Sequence, residues 1–148
     1  VDGWLQAWGE QLDRRAGAAK GAGAGGGVGF ALLLLGASRV PGIATVADSI
    51  GLAERMRGAD LVITGEGAFD FSTRAGKVPY GVAELAGQAL VPCIALAGRV
   101  VIGSREMRAL GIESAYSMSE LIGEAESFDD ASASLEKLAH RVARTWSH

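Results

Sequence analysis

A short β-branched run that breaks on glycine, delivers two carboxylates and leads into a helix start constrains this chain more than any other feature. It runs from Asp60 to Lys77, Asp-Leu-Val-Ile-Thr-Gly-Glu-Gly-Ala-Phe-Asp-Phe-Ser-Thr-Arg-Ala-Gly-Lys. Leu61, Val62, Ile63 and Thr64 read as a buried strand. Gly65 and Gly67 then open a loop carrying Glu66 and Asp70. Pro79 suits a first helical turn, and Val82, Leu85, Ala86 and Ala89 continue at helical spacing. A second strand is predicted at Cys93 to Ala97, ending on Gly98, and a third at Glu113 to Tyr116. Between them, Ser104 is expected to cap a short helix. A last helix starts at Asp129 or Asp130 and lines up Ala131, Leu135, Leu138, Val142 and Trp146. Strands alternating with helices at this spacing imply an α/β fold, a parallel sheet with right-handed crossovers and flanking helices. Ligands of such sheets bind just beyond the carboxyl ends of the strands.

The preceding part has another rhythm. Trp4, Leu5, Trp8 and Leu12 predict an amphipathic helix capped by Asp2, with the tryptophans as core anchors. The glycine run Gly21 to Gly29 follows. Gly21, Gly23 and Gly26 satisfy G-x-G-x-x-G, but an alanine-rich helical pattern precedes them where a dinucleotide site needs a strand. No Gly-Lys-Ser/Thr follows, so the run is not a P-loop either. Two readings remain open: amides exposed to an anion ahead of a helix at Phe30 to Leu35, or a linker or tight helix contact. After the Pro41-Gly42 turn, helical patterns recur at Ile43 to Ile50 and Leu52 to Arg57. The change of style near Gly58 divides the chain into 1–58 and 59–148.

With 49% hydrophobic and 21% charged residues, the chain is expected to fold. Its formal charge of -3 argues against nucleic acid or an anionic membrane as partner. The longest apolar run, Val28 to Ala37, falls short of the roughly 18 residues of a membrane span. The lone cysteine, Cys93, excludes an internal disulfide and a cysteine metal site, and reads as a buried strand residue in a reducing, cytoplasmic setting. The start, Val-Asp-Gly-Trp, lacks both a signal sequence and an initiator methionine, and the chain is expected to be part of a longer protein. His140 and His148 are expected on the surface, and Ser104 and Ser117 lack a nucleophile-elbow context.

Glu66 and Asp70 suit three jobs: magnesium ligation, accepting a proton from a hydroxyl, or capping the next turn. Lys77 places a cation where a phosphate could meet a helix start. Thr64, Ser72 and Thr73 offer orienting hydroxyls, and Gly65 and Gly67 permit close approach of a ligand.

Taken together, the glycine run, Pro41-Gly-Ile43, Ala-Asp-Leu-Val-Ile-Thr-Gly-Glu-Gly-x-x-Asp, Thr-x-x-Gly-Lys and Val91-Pro-Cys-Ile-Ala-Leu-Ala-Gly98 resemble the bacterial glycerate kinases, in this order and over nearly the whole chain. The resemblance implies transfer of the ATP γ-phosphate, with magnesium, to a hydroxyl of D-glycerate. It also implies a two-domain enzyme, much longer than this chain. Residues 1–58 would end an inserted, helical, glycine-rich domain, and 59–148 would form the carboxyl-terminal half of a Rossmann- or flavodoxin-like α/β domain. The isolated chain is then expected to be inactive, needing the remainder of the polypeptide. The residues matching the family element are Gly65, Glu66, Gly67, Asp70, Thr73, Gly76 and Lys77, with Gly21, Gly23, Gly26 and Gly27 in the glycine run. Glu66, Asp70 and Lys77 are the catalytic candidates, and Glu66 and Asp70 the magnesium candidates. Ala68 stands where the family commonly has arginine, which shifts carboxylate recognition toward Arg74 or Arg99. The competing reading is a non-catalytic α/β module that binds a phosphorylated small molecule.

Overall fold

The structure, a computed structural model, describes residues 2–72 and 76–147. Two compact units divide the chain, Val1–Pro41 and Gly42–His148.

The first unit contains α1 (Asp2–Leu12), α2 (Arg14–Ala18), a 3₁₀ turn at Ala24–Gly27 and α3 (Val28–Leu34). Asp13 caps α2, its Oδ1 accepting from the amides of Arg15 (2.8 Å) and Ala16 (3.1 Å). The predicted first helix is present, although the side chain of Asp2 lies outside the described residues. Its tryptophans are not core anchors: Trp4 and Trp8 are 79% and 58% exposed. The physical reason is that α1 meets α2 through bare backbone, a Cβ on Gly17 standing only 2.8 Å from Gly9 Cα. Among the described residues of this unit, Ala22 and Phe30 carry the buried apolar side chains. The glycine run is a folded turn rather than a linker. Its backbone is left-handed from Gly25 through Gly27, and a Cβ on Gly29 would stand 2.0 Å from the Gly21 carbonyl oxygen.

The second unit runs α4 (Gly42–Ser49), α5 (Leu52–Met56), β1 (Val62–Phe69), α6 (Val78–Gln88), β2 (Cys93–Val100), α7 (Ser104–Ala109), β3 (Ser114–Ser117), α8 (Met118–Ile122), α9 (Glu124–Asp129) and α10 (Ala131–Trp146). The sheet is parallel, in the order β1-β2-β3, with Val62 opposite Cys93 and Ile94 opposite Ser114. The predicted α/β alternation is therefore what forms. Asp130 caps α10 by accepting from the Ala133 amide at 3.0 Å, as expected. At α7 the cap is Gly103, whose amide donates to Glu106 Oε2 at 2.9 Å, and Ser104 is the first helical residue.

Two-residue periodicity sorts β2 into two cores. Cys93, Ala95 and Ala97 join Val82, Ala83, Ala86, Met107, Leu110 and Ile112 on one face. Ile94 joins Leu138 and Val142 of α10 on the other, with Leu96, Tyr116 and Trp146 packed around them. Burying a side chain such as Ile94 or Ile112, both 0% exposed, contributes about 1.5–3 kcal/mol. Ile63, in register with Ile94 but on the outer strand β1, is 58% exposed, since α10 packs over β2 and β3. Ile43, Leu52 and Met56 belong to the first of these cores, so division by packing falls at Pro41, ahead of the change of sequence style near Gly58.

Candidate functional site

The strand predicted to stop at Thr64 continues to Phe69. Pairing with β2 carries it on, Glu66 opposite Ala97, Ala68 opposite Arg99 and Phe69 opposite Val100. Two glycines permit this close pairing. A Cβ on Gly65 would stand 2.4 Å from the Leu96 carbonyl oxygen, and one on Gly98 would stand 2.5 Å from that of Gly67. Gly65 is thus bare for its neighbouring strand, whereas the space above Gly67 is open, with nothing within 4 Å. Glu66 consequently projects from the strand itself rather than from a loop. Phe69, 0% exposed, pins the strand end into the core and fixes where Asp70 begins.

Asp70 is held by a local Asx-type arrangement. Its Oδ1 accepts from the Ser72 amide at 2.8 Å and from the Ser72 hydroxyl. These two hydrogen bonds, with a smaller contribution from Lys77, hold the carboxyl below its ordinary pKa. Asp70 is therefore a firm anion and a poor proton acceptor.

Lys77 is the N-cap residue of α6, reached through Gly76 at φ +91°. Its Nζ lies 3.6 Å from Glu66 Oε2 and 3.7 Å from Asp70 Oδ1. A lysine at a helix start faces the positive end of the helix dipole, and the two carboxylates offset that conflict. The side chains of Lys77, Glu66 and Asp70 are 41%, 13% and 38% exposed. Solvent screens pairing of an ammonium and a carboxylate as open as those of Lys77 and Asp70, so the ammonium is held but not locked.

The structure thus brings Glu66, Asp70 and Lys77 together around one point at the carboxyl end of β1. Thr64 is buried within the strand. Thr73 and Arg74 lie outside the described residues, as does His148. Gly21, Gly23, Gly26 and Gly27 belong to the first unit, where Gly23 precedes the 3₁₀ turn in a right-handed conformation. His140 is exposed on α10. Arg99, in register with Ala68, pairs with Glu124 through Nη1 at 3.1 Å. That partner went unforeseen because helices α8 and α9 have little periodicity to announce them.

The donor set suits magnesium, which takes one or two carboxylates and completes its shell with water and phosphate oxygens. Glu66 and Asp70 already converge on a single cationic nitrogen. Among the described residues, no group of three or more His, Cys, Asp or Glu side chains stands ready to hold a metal through protein alone. Nor is any described helix long and apolar enough to cross a membrane.

Fold and site together define an α/β protein with a mixed acidic and basic constellation at the carboxyl end of a parallel sheet. The chain belongs to the glycerate kinase family, whose family model matches residues 1–147. It is 38% identical to a glycerate kinase of Halalkalibacterium halodurans over 91% of this chain and 35% of that one. It is 37% identical to the glycerate 2-kinase of Escherichia coli K12, over 84% and 33% respectively. A crystal structure from Salmonella typhimurium LT2, provisionally assigned as glycerate kinase 2, superposes with a TM-score of 0.64 at 33% identity, covering 96% of this chain and 37% of that one. The chain therefore spans about a third of the length of these relatives.

Proposed function

We propose that this chain forms part of an ATP-dependent glycerate kinase, which transfers the γ-phosphoryl group to a hydroxyl of D-glycerate and releases phosphoglycerate and ADP. The observation that carries the reading is the convergence of Glu66, Asp70 and Lys77 at a strand end, in a chain of this family. Phosphoryl transfer asks little covalent chemistry of the protein; it needs positioning and charge stabilisation. Asp70, kept anionic by Ser72, and Glu66 are the two metal-facing carboxylates. A magnesium ion held by Asp70 and Glu66 would neutralise charge on the transferring phosphoryl group. Lys77 supplies the mobile positive charge for a phosphate oxygen. Arg99 or Arg74 offers a guanidinium to the glycerate carboxylate. In the whole enzyme, 1–58 would end an inserted domain and 59–148 would complete an α/β domain in a reducing cytoplasm.

The test uses the longest natural product containing this sequence. Magnesium-dependent formation of phosphoglycerate from ATP and D-glycerate is expected, and Asp70→Asn should abolish it while leaving the fold intact by circular dichroism. Full turnover in Asp70→Asn removes that carboxylate from the mechanism. Nucleotide binding without any glycerate-dependent turnover supports a non-catalytic binding module instead.

A further inference from the structure

We infer that Lys77 is an internal counter-ion that occupies the cation position between Glu66 and Asp70, and that a divalent metal must displace it to bind. The inference rests on the reading of Glu66 and Asp70 as metal-facing carboxylates. Three observations carry it. The Lys77 Nζ is almost equidistant from the two carboxylates, at 3.6 and 3.7 Å, so it stands near their common focus. Both separations exceed the 2.7–2.9 Å of a tight charge-assisted hydrogen bond, so the ammonium is not locked in place. Finally, its side chain is 41% exposed and starts from the N-cap of α6, so it can swing into solvent without disturbing buried packing.

Charge determines the consequence. Two carboxylates near one another repel, and without a cation between them the pair would be costly to keep ionised. Lys77 meets that need in the metal-free protein. A divalent ion brings twice the charge and shorter contacts to the same oxygens, and it repels the ammonium. The displaced ammonium is then available to an anion arriving with the metal. Lys77 thereby keeps the site organised and weakens its affinity for bare metal, so that loading favours metal that comes with an anionic ligand. This is a positioning role with a sign: removing the ammonium should tighten metal binding, whereas removing a merely structural lysine should loosen it or leave it unchanged.

The test is a titration of the chain with Mn²⁺ as probe, read by the electron paramagnetic resonance of the free ion, with Mg²⁺ as competitor. Lys77→Met should bind Mn²⁺ about three- to tenfold more tightly than the native chain, the range set by the weakness of exposed ion pairs. Lys77→Arg, which keeps the charge, should stay near the native affinity. Adding Glu66→Gln to Lys77→Met should erase the gain. Lys77→Gln serves as the second variant should methionine perturb folding, with far-ultraviolet circular dichroism as the check. Equal or weaker Mn²⁺ binding in both neutral variants overturns the inference, even if the longer protein phosphorylates glycerate. Tighter binding in both upholds it even if glycerate turnover is absent, and that absence counts against the kinase reading alone.

Discussion

Replacing Gly65 by alanine inserts one methyl group where β1 passes closest to β2. The new Cβ would stand 2.4 Å from the Leu96 carbonyl oxygen, against a limit of 3.0 Å that real Cβ contacts essentially never cross. The obstacle is backbone, so no side chain can rotate away. Either β2 moves by at least the difference, 3.0 − 2.4 = 0.6 Å, or the Val62–Phe69 pairing opens. Overpacking a well-fitted interior costs about 1–3 kcal/mol, and a backbone clash belongs at the upper end. Alanine also restricts the unfolded chain, which returns about 0.4–1 kcal/mol. The net expectation is a loss of about 2 kcal/mol. Gly67→Ala, two residues away, meets nothing within 4 Å and needs no left-handed backbone, so it should be neutral or slightly stabilising. The assay is urea unfolding of the chain followed by circular dichroism. With slopes of about 1–3 kcal/mol per molar, Gly65→Ala should lower the midpoint by about 1 M relative to Gly67→Ala. Equal midpoints for the two variants, or a lower one for Gly67→Ala, would refute the claim that Gly65 is required by strand pairing.

Two other expectations follow from the same geometry. The depressed Asp70 pKa means that its ionised form stabilises the fold above the ordinary aspartate value, and that this contribution is lost as pH falls through the lower folded value. Ser72→Ala should raise the Asp70 pKa toward normal and move that loss to higher pH, as read by carboxyl carbon NMR; Ser72→Thr should restore it, and an unmoved pKa in Ser72→Ala would show that Ser72 does not hold the anion. Burial pushes the Cys93 thiol up to about 11, so at neutral pH it should react with an aromatic disulfide reagent only after denaturation; native-state labelling at the rate of a free thiol would contradict its buried position.

Local pattern in the sequence was sufficient for much of this protein. The β-branched run before Gly65, the apolar spacing after Pro79 and the capping aspartate before α10 are properties of single segments, and the alternating order of segments implies the parallel sheet. The resemblance carried by the glycine run and the Thr-Gly-Glu-Gly-x-x-Asp element reached the family that the comparisons then established. What the tertiary structure alone decided lies in contacts between segments. Gly65 and Gly67 look alike in the sequence, but only Gly65 faces the carbonyl of a strand about thirty residues away. Trp4 and Trp8 recur at core spacing, yet α1 packs by its glycine and leaves them exposed. Glu66, Asp70 and Lys77 could be named from the chain, but not the fact that one ammonium sits between two carboxylates, nor that Ser72 claims one of them. The reason is physical: periodicity reports which face of a segment is apolar, whereas close approach and charge pairing depend on what another segment brings to that face.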